Sequence, residues 1–381
     1  MTLSALYRIR SRGEDPYFHL AYEEALLRQV SRLSLAGRPV AALFLWQNAR
    51  TVVIGRNQNA WRECRTGLLE REGGRLARRC TGGGAVFHDL GNLNVSFLVP
   101  RRLYDVERQA GVLLDAVRSL GIPAERSGRN DLLADGRKFS GNAFGFHGEG
   151  ALHHGTVLVA ADTDAMSRYL QPPPGKLEGK GVASVRARVV NLTELAPGVT
   201  IDGVADALAA AFAKAYRQDL SNGAADPGLL PCEIRPEDGS GPSAPTDAAG
   251  LGEEDGGRFR EDLGRLLETH RSFEWRYGQS LPGDAEISGR FPFGGFTFRL
   301  AIREGRIRNA QVDSDALDAD FVTGIARSLE GVRYRAPDLA DALDRAGDAA
   351  AAGEAAWDGD GGWSRRTMAD ALSGWMRGHS L

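Results

Sequence analysis

The feature that most constrains this chain is the alternation of short apolar segments with amphipathic ones over its first two hundred residues. The segments AALFLW at 41–46 and TVVIG at 51–55 are rich in β-branched and aromatic residues, which is typical of buried strands. A helix is predicted over 16–33, because Asp15 suits the N-cap, Pro16 suits the first turn and apolar residues recur on one side. This alternation predicts a dense domain of strands packed against helices.

The same patterns predict further elements in this half of the chain. The predicted strands are 75–79, 84–87, 93–99, 130–134 and 152–160, and the predicted helices are 60–72, 104–120 and 163–170. The character changes between 218 and 258, where Gly, Pro, Ala, Ser and acidic residues dominate. Because such a composition cannot bury a core, we predict a mobile linker or a long surface loop there.

The last third of the chain predicts a second, smaller α+β domain. After a helix at 261–275, two segments predict a hairpin joined by Glu304 and Gly305, and three helices with one surface insertion follow. The hairpin segments are 291–302 and 306–312, the helices are 318–329, 337–346 and 365–377, and the insertion is 347–362. A length of 381 residues also favours two domains. We therefore divide the chain into 1–280 and 281–381.

Lysine is scarce in this sequence, with four lysines against forty-three arginines. A chain that has exchanged lysine for arginine should keep lysine where a compact, movable ammonium is required. Lys138, Lys176 and Lys180 lie within one stretch and so indicate a site, although chance survival is the alternative interpretation.

The net charge and the cysteines restrict the classes of partner and the compartment. A net charge of −3 gives no field that would gather nucleic acid or an acidic membrane surface, so neither partner is expected. No apolar stretch has the length of a signal peptide core or of a membrane span, and we expect a cytoplasmic protein. The three cysteines are far apart, which favours reduced thiols over a disulfide framework or a zinc site, and no metal site is predicted.

The segment RRCTGGGAVFHDLGNLNVSF at 78–97 is the richest in chemistry. Its three consecutive glycines expose backbone N–H groups, and Arg78 and Arg79 precede them, as a cradle for phosphates requires. The spacing matches neither a P-loop nor a dinucleotide fingerprint. A glycine-rich hairpin turn is the alternative, but the polar His88 and Asp89 beside apolar neighbours favour a site.

Three further segments carry polar residues that suggest a site. Lys138 follows a turn and precedes small residues that would let a ligand approach the backbone. His153 and His154 alternate on a strand, so one is expected to point inward and the other to meet water, and they cannot chelate one metal ion from the same face. The segment 176–195 places Arg186 and Arg188 on one strand face, which equally fits a solvated strand.

Together these segments resemble the lipoate-protein ligases of the large two-domain bacterial type. The resemblance rests on RRCTGGGAVFHDLGN, GRND with GRKFSGNA, HHGT, SVRARVVNLTEL and LWQNARTVVIGRNQN, and on the C-terminal FEWRYGQS. It implies an α+β fold, with a mixed-sheet catalytic domain of the biotin and lipoyl ligase type and a smaller C-terminal α+β accessory domain. The sequence departs from the family where Cys80 and Thr81 stand in place of the usual serine before the glycines, and in a longer 218–258 segment.

The resemblance also implies a reaction and residues that perform it. Lipoate and Mg²⁺-bound ATP would give lipoyl-AMP, and the lipoyl group would pass to a lysine of a lipoyl domain in a 2-oxoacid dehydrogenase E2 subunit or in the glycine-cleavage H protein. Lys138 would contact the acyl carbonyl and the α-phosphate as the catalytic residue, acting as an electrophilic stabiliser and not as a nucleophile. The implied nucleotide-binding residues are Arg79, Gly82, Gly83, Gly84, Ala85, Val86, Phe87 and Lys138. The implied lipoate pocket comprises Trp46, His88, Asn130, Asp131, His154 and Gly155.

Two rival functions remain open at the level of sequence. An acyltransferase of the same fold would move lipoyl or octanoyl groups without ATP, although the cysteine-dependent octanoyltransferases tend to carry arginine at the third glycine, where this chain keeps Gly84. A non-catalytic binder of the lipoyl-adenylate is the second rival, and the retained Lys138 argues against it. Lys176 and Lys180 remain candidates for closing over the nucleotide.

Overall fold

The structure of the protein is a computed structural model, and its chain forms two compact units. It describes residues 2–127, 131–171, 189–221, 230–234, 253–277, 285–303, 305–352 and 362–379. Unit 1 comprises Met1–Val53, Cys64–Ala77 and Val86–Ser272, and unit 2 comprises Ile54–Glu63, Arg78–Ala85 and Phe273–Leu381. The domain boundary near residue 280 stays a prediction.

Unit 1 is built on a mixed sheet of eight strands in the order β11-β1-β2-β6-β10-β9-β8-β7. Strands β11, β1 and β2 pair in parallel, and the other pairs are antiparallel. The strands are β1 Ala5–Ser11, β2 Val40–Trp46, β6 Asn92–Pro100, β7 Ala124–Ser127, β8 Asp131–Ala134, β9 Arg137–His147, β10 Gly150–Leu158 and β11 Leu230–Ile234.

The described helices of unit 1 cover both faces of this sheet. They are α1 Pro16–Leu35, α3 Thr66–Arg71, α4 Val106–Ser119, α5 Thr163–Tyr169, α6 Leu192–Leu195, α7 Ile201–Tyr216 and α8 Glu253–Arg271. Helix α1 packs on β2, β6 and β10, and α8 packs on α1, whereas α4 and α7 pack together and α7 contacts β1, β2 and β6. Every residue of β2 and of β6 is buried, as strands covered on both faces require.

The sequence predicted α1 and its start for the reasons that the structure shows. The Asp15 carboxylate accepts a hydrogen bond from the Tyr17 backbone N–H at 3.0 Å, and Pro16 occupies the first turn. The helix predicted over 60–72 is instead two short helices, α2 Ala60–Glu63 and α3. The break occurs because the Arg65 N–H donates to the Tyr169 carbonyl rather than to the preceding turn.

The prediction of a linker over 218–258 is wrong at two places within the described residues. Strand β11 pairs in parallel with β1 at the edge of the large sheet, where Ile234 is buried, and helix α8 begins at Glu253. Backbone pairing with the distant β1 forms this edge strand, and the composition of the segment does not reveal that pairing. A smaller sheet has the order β4-β3-β5, with β3 Thr51–Ile54, β4 Arg75–Arg78 and β5 Val86–His88.

Unit 2 contains an antiparallel sheet in the order β12-β13-β14 and helices from the C-terminal part of the chain. The elements are α9 Phe273–Arg276, β12 Ala285–Phe291, β13 Gly294–Arg303, β14 Arg306–Ser314, α10 Ala319–Ser328, α11 Ala336–Ala352 and α12 Arg365–Arg377. The predicted hairpin and the three helices are confirmed, although α11 runs into the insertion predicted at 347–362. The α+β class, with a large mixed sheet and a smaller C-terminal α+β part, is therefore confirmed.

No described helix combines the length and the apolar character that crossing a membrane would need.

Both histidines of β10 are buried, so the prediction that one of them meets water is wrong. The His153 side chain contacts Gln109 of α4, and the His154 side chain contacts Glu23 of α1. Adjacent residues of a strand point to opposite faces, and here each face lies under a helix. Burial lowers the pKa of His153 to about 3, and burial lowers the pKa of His19 on α1 to about 4.

These buried histidines predict a loss of stability in mild acid. Below about pH 6.5 the unfolded chain binds a proton at each of these histidines and the folded chain does not, so folding weakens as the pH falls toward 4. Each histidine should contribute a slope of about 1.4 kcal/mol per pH unit. Because the full slope is reached only below pH 6.5, urea unfolding between pH 7 and pH 5 should show a mean slope that is shallower by about 1 kcal/mol per pH unit in His153→Gln. Equal slopes in the two proteins would show that His153 is not neutral in the fold.

Candidate active site

The ammonium group of Lys138 is held at the start of β9 by a carboxylate on the neighbouring strand. Lys138 Nζ lies 2.6 Å from Asp131 Oδ1 in an ion pair, and the two side chains are 36% and 38% exposed. The Lys138 carbonyl accepts a hydrogen bond from the Val190 N–H at 2.9 Å, which fixes the backbone below the side chain. The ammonium is thus placed yet accessible, as a group that contacts a substrate must be.

Gly141 leaves the space that the Lys138 side chain occupies. A Cβ at residue 141 would lie 2.8 Å from Lys138 Nζ and 2.9 Å from Lys138 Cε. Because no positive φ occurs at Gly141, the backbone does not require glycine there, and the space for the ammonium is the reason that the structure offers.

Gly155 of β10 has a similar steric reason to be glycine. A Cβ there would lie 2.3 Å from Asn142 Oδ1 and 3.0 Å from the Gly141 carbonyl. The same Asn142 Oδ1 lies 2.9 Å from His153 Nε2, within hydrogen-bonding distance. Packing beside the Lys138 segment thus accounts for Gly155, and its predicted place in a lipoate pocket stays a prediction.

Trp46 of β2 lies at the centre of a buried polar and aromatic cluster in unit 1. Its ring packs edge-on against His88 and tilted against His19, with centroid distances of 6.0 Å and 5.3 Å. The indole N–H donates to Ser96 Oγ at 3.0 Å. Asn48 bridges the two histidines, with Oδ1 2.8 Å from His19 Nδ1 and Nδ2 3.1 Å from His88 Nδ1. The cluster therefore fixes three large rings by hydrogen bonds.

Sequence reasoning missed Glu23, a fully buried carboxylate on α1. It accepts a hydrogen bond from Ser96 Oγ, and both its oxygens lie 2.9 Å from His154 Nδ1. This geometry fits a proton on Nδ1 of His154. The signal in the sequence was the spacing of His19 and Glu23, four residues apart on a helix face that is otherwise apolar.

Arg78 has a structural role in unit 2, so the expectation that it cradles an anion is not met. Its fully buried guanidinium donates to the carbonyls of Gly55, Arg56, Gln58, Trp275 and Arg276 at 2.6–3.1 Å. Burial lowers its pKa to about 10. Arg78 thereby ties segment 54–63 to residues 275 and 276. Its three guanidinium nitrogens all donate to these buried carbonyls, so they are not presented to a phosphate.

Arg79 folds back onto the glycine loop that follows it. Its Nη2 donates to the carbonyls of Gly82 and Gly84 at 2.6 Å and 2.8 Å, and its Nε lies 3.2 Å from Thr81 Oγ1. The side chain is buried, with 6% of its surface exposed. In this structure Arg79 therefore shapes the loop through its carbonyls.

Different physical reasons explain why glycine stands at the three positions of the loop. A Cβ on Gly82 would lie 2.3 Å from the Ala316 carbonyl oxygen. Gly83 has a φ of +87° and donates its N–H to that same oxygen at 2.9 Å. Gly84 is exposed, has no positive φ and would meet nothing within 4 Å. Only Gly84 lacks a structural reason to be glycine, which favours close approach of a ligand at that point of the loop.

The predicted site residues are divided between the two units. Unit 1 holds Trp46, Val86, Phe87, His88, Asp131, Lys138, His154 and Gly155, and unit 2 holds Arg79, Gly82, Gly83, Gly84 and Ala85. Phe87 is buried against the Tyr169 ring, with a centroid distance of 5.6 Å. Asn130, Lys176, Lys180, Arg186 and Arg188 lie outside the described residues. Among the residues described, no group of three His, Cys, Asp or Glu side chains is arranged to hold a metal ion.

Comparison with known proteins gives two family matches and several structural ones. The model of the lipoyl protein ligase A/B catalytic domain matches residues 15–213, and that of the bacterial lipoate protein ligase C-terminus matches residues 284–352. LipL1 of P. falciparum, solved in complex with lipoate, has the same fold, with a TM-score of 0.76 and 23% identity over 98% of this chain and 100% of its own.

Two further solved structures are similar at slightly higher identity. One is a bi-partite lipoate protein ligase, solved in a study with its E2 lipoyl domain, from Thermoplasma acidophilum; identity is 25%, the TM-score is 0.57, and 75% of this chain and 100% of that chain are covered. The other is a lipoate-protein ligase A bound with ATP, with 26% identity, a TM-score of 0.54, and 72% and 99% covered. On the family match over more than half of its length, the chain belongs to the lipoyl protein ligase A/B family.

Proposed function

We propose that this protein is an ATP-dependent lipoate-protein ligase. The lipoate carboxylate attacks the α-phosphorus of Mg²⁺-bound ATP, which forms lipoyl-AMP and releases pyrophosphate. The ε-amine of a lysine on the acceptor protein then attacks the acyl carbonyl, which forms the amide and releases AMP. The observation that carries the proposal is the accessible Lys138 ammonium, held by Asp131 over the bare backbone of Gly141.

The chemistry requires positive charge where negative charge develops. Adenylation builds charge on the oxygens of the α-phosphate, and amide formation builds it on the acyl oxygen, so one movable ammonium can serve both steps. We assign this electrophilic role to Lys138. Asp131 positions the ammonium before the substrates bind, and the tight space over Gly141 limits where it can move.

We assign nucleotide binding to the glycine loop, at Arg79 and the residues from Gly82 to Phe87. The support is that Gly84 is exposed with open space at its Cβ position, whereas Arg79 holds the loop carbonyls. The similar lipoate-protein ligase A was solved bound with ATP. The Mg²⁺ would arrive as part of the ATP substrate.

We assign lipoate binding to the cluster around Trp46, His88 and His154. The lipoyl tail is aliphatic and ends in a dithiolane, so it requires an apolar wall with few polar groups, such as fixed aromatic rings provide. Asn130, Asp131 and Gly155 complete the proposed pocket. LipL1 of P. falciparum was solved with lipoate, which supports lipoate as the ligand, and the Thermoplasma ligase was studied with an E2 lipoyl domain, which supports such a domain as the acceptor. The H protein is proposed as a second acceptor on the family resemblance alone.

Lipoate-dependent exchange of radiolabelled pyrophosphate into ATP tests the proposal. Exchange should require the enzyme, lipoate and Mg²⁺, and it should occur without an acceptor because the first half-reaction is reversible on the enzyme. Amide formation should then follow when an apo lipoyl domain is added. Absence of exchange with intact transfer from synthetic lipoyl-adenylate would identify an ATP-independent transferase. Absence of both activities would indicate a protein that binds lipoyl-adenylate without catalysis.

Replacement of Lys138 by arginine should damage both half-reactions nearly as much as replacement by alanine. Arginine keeps the positive charge, but its planar guanidinium cannot occupy the compact site over Gly141. We expect losses of about 100-fold, equivalent to about 3 kcal/mol of transition-state stabilisation, in pyrophosphate exchange and in single-turnover transfer. Near-normal exchange in Lys138→Arg would show that charge alone is sufficient. Lys214→Arg on α7, an exposed lysine outside the site, is the matched control.

A further inference from the structure

The end of the β13–β14 hairpin in unit 2 places several arginines side by side. Arg303 and Arg306 are directly opposite each other in the strand register, and Arg306 also forms an antiparallel bridge with Arg333. The bridge is supported by three backbone hydrogen bonds of 2.8–2.9 Å between residues 305–307 and 331–334. Three arginines thus lie in one row across three neighbouring stretches of backbone.

The same face carries a fourth arginine. The side chain of Ile307 is buried, with 1% of its surface exposed, so Arg306 and Arg308 on either side of it point to the opposite face. Arg303, Arg306, Arg308 and Arg333 are all exposed. We call these four residues the hairpin arginine patch.

This arrangement is electrostatically unfavourable for the isolated protein. Directly opposite residues on paired strands have Cβ atoms about 5 Å apart, and like charges there are destabilising. Among the residues that the structure describes, no carboxylate lies within 4 Å of a patch arginine, and Arg306 donates only to the Gly331 carbonyl, at 2.8 Å. The acidic residues closest in sequence are Glu304, which lies outside the described residues, Glu330, Asp313, which pairs with Arg299, and Asp338, which is 3.9 Å from Arg335.

Elsewhere in unit 2 the chain places acids against its arginines. Arg299, on the same strand as Arg303, pairs with both Glu286 and Asp313, and Arg365 pairs with Asp318. Since acidic partners are used so regularly within the same unit, a row of arginines that pairs with no carboxylate among the described residues indicates a surface whose counter-charge comes from another molecule.

We propose that the hairpin arginine patch is the docking surface for an acidic face of the acceptor domain that receives the lipoyl group. This inference rests on the proposed function, which requires a protein acceptor. A compact acidic domain needs only local complementarity, whereas a long polyanion such as nucleic acid would extend over a chain whose net charge is −3. Charge pairs at the rim of such an interface mainly steer association and select the partner.

The test uses the full-length enzyme with three patch arginines removed. Arg306 is kept because it holds the Gly331 carbonyl, and Arg303, Arg308 and Arg333 are replaced by alanine. We expect kcat/KM for an apo lipoyl domain to fall about tenfold at low salt, through KM, with pyrophosphate exchange unchanged. In about 0.5 M NaCl the difference from the wild type should largely disappear, because screening removes the steering.

The matched control changes the net charge by the same amount at exposed arginines elsewhere, in Arg71→Ala/Arg102→Ala/Arg345→Ala. A patch variant whose kcat/KM stays within about twofold of this control at low salt overturns the proposal. So does binding of short duplex DNA that is lost in the patch variant while acceptor kinetics are unchanged, which would assign the patch to nucleic acid. If the wild type shows no pyrophosphate exchange, the proposed function fails, and fluorescence anisotropy of the labelled lipoyl domain still decides whether the patch binds it.

Discussion

Burial of the central strands on both faces is the constraint on which the rest of unit 1 depends. Strands β2 and β6 lie between helices, so a polar side chain on them or on the neighbouring β10 must find its partner inside the protein. For Ser96, His153 and His154 the structure supplies such partners: Glu23 joins His154 to Ser96, and Asn142 joins His153 to Ser140. These hydrogen bonds orient the rings and the backbone beside which Lys138 lies.

The Lys138 ammonium, to which we assign the electrophilic role, is less covered than the central strands. Lys138 is the second residue of β9 and has about a third of its side chain exposed, whereas Phe139 and Ser140 after it are buried. A flexible side chain on a rigid strand can reach a substrate and still return to one position, which Asp131 defines. The cationic side chain of Arg78 in unit 2 is, in contrast to Lys138, fully buried, and its guanidinium fixes a loop by donating to backbone carbonyls.

The elements with local signals could be predicted from the sequence, and those that depend on distant partners could not. Asp15 and Pro16 mark α1, and the alternating strands and the segment around Lys138 are visible in the residues themselves. The pairing of β11 with β1, the burial of His154 under α1 and the five carbonyls around Arg78 are contacts between residues far apart in the chain. Glycines show both cases, because Gly83 is explained by its φ, whereas Gly155 is explained only by Asn142 on the next strand.

Gly141→Ala tests most directly whether the placement of the Lys138 ammonium is what makes the site active. The added Cβ would collide only with the end of the flexible Lys138 side chain, so the fold should tolerate it while the ammonium moves away from Asp131. We expect pyrophosphate exchange to fall at least about 30-fold in Gly141→Ala with an unchanged melting temperature, whereas Gly111→Ala, whose Cβ meets nothing within 4 Å, should keep normal exchange. Exchange at the wild-type rate in a folded Gly141→Ala enzyme would show that the position of the Lys138 ammonium beside Asp131 does not determine activity.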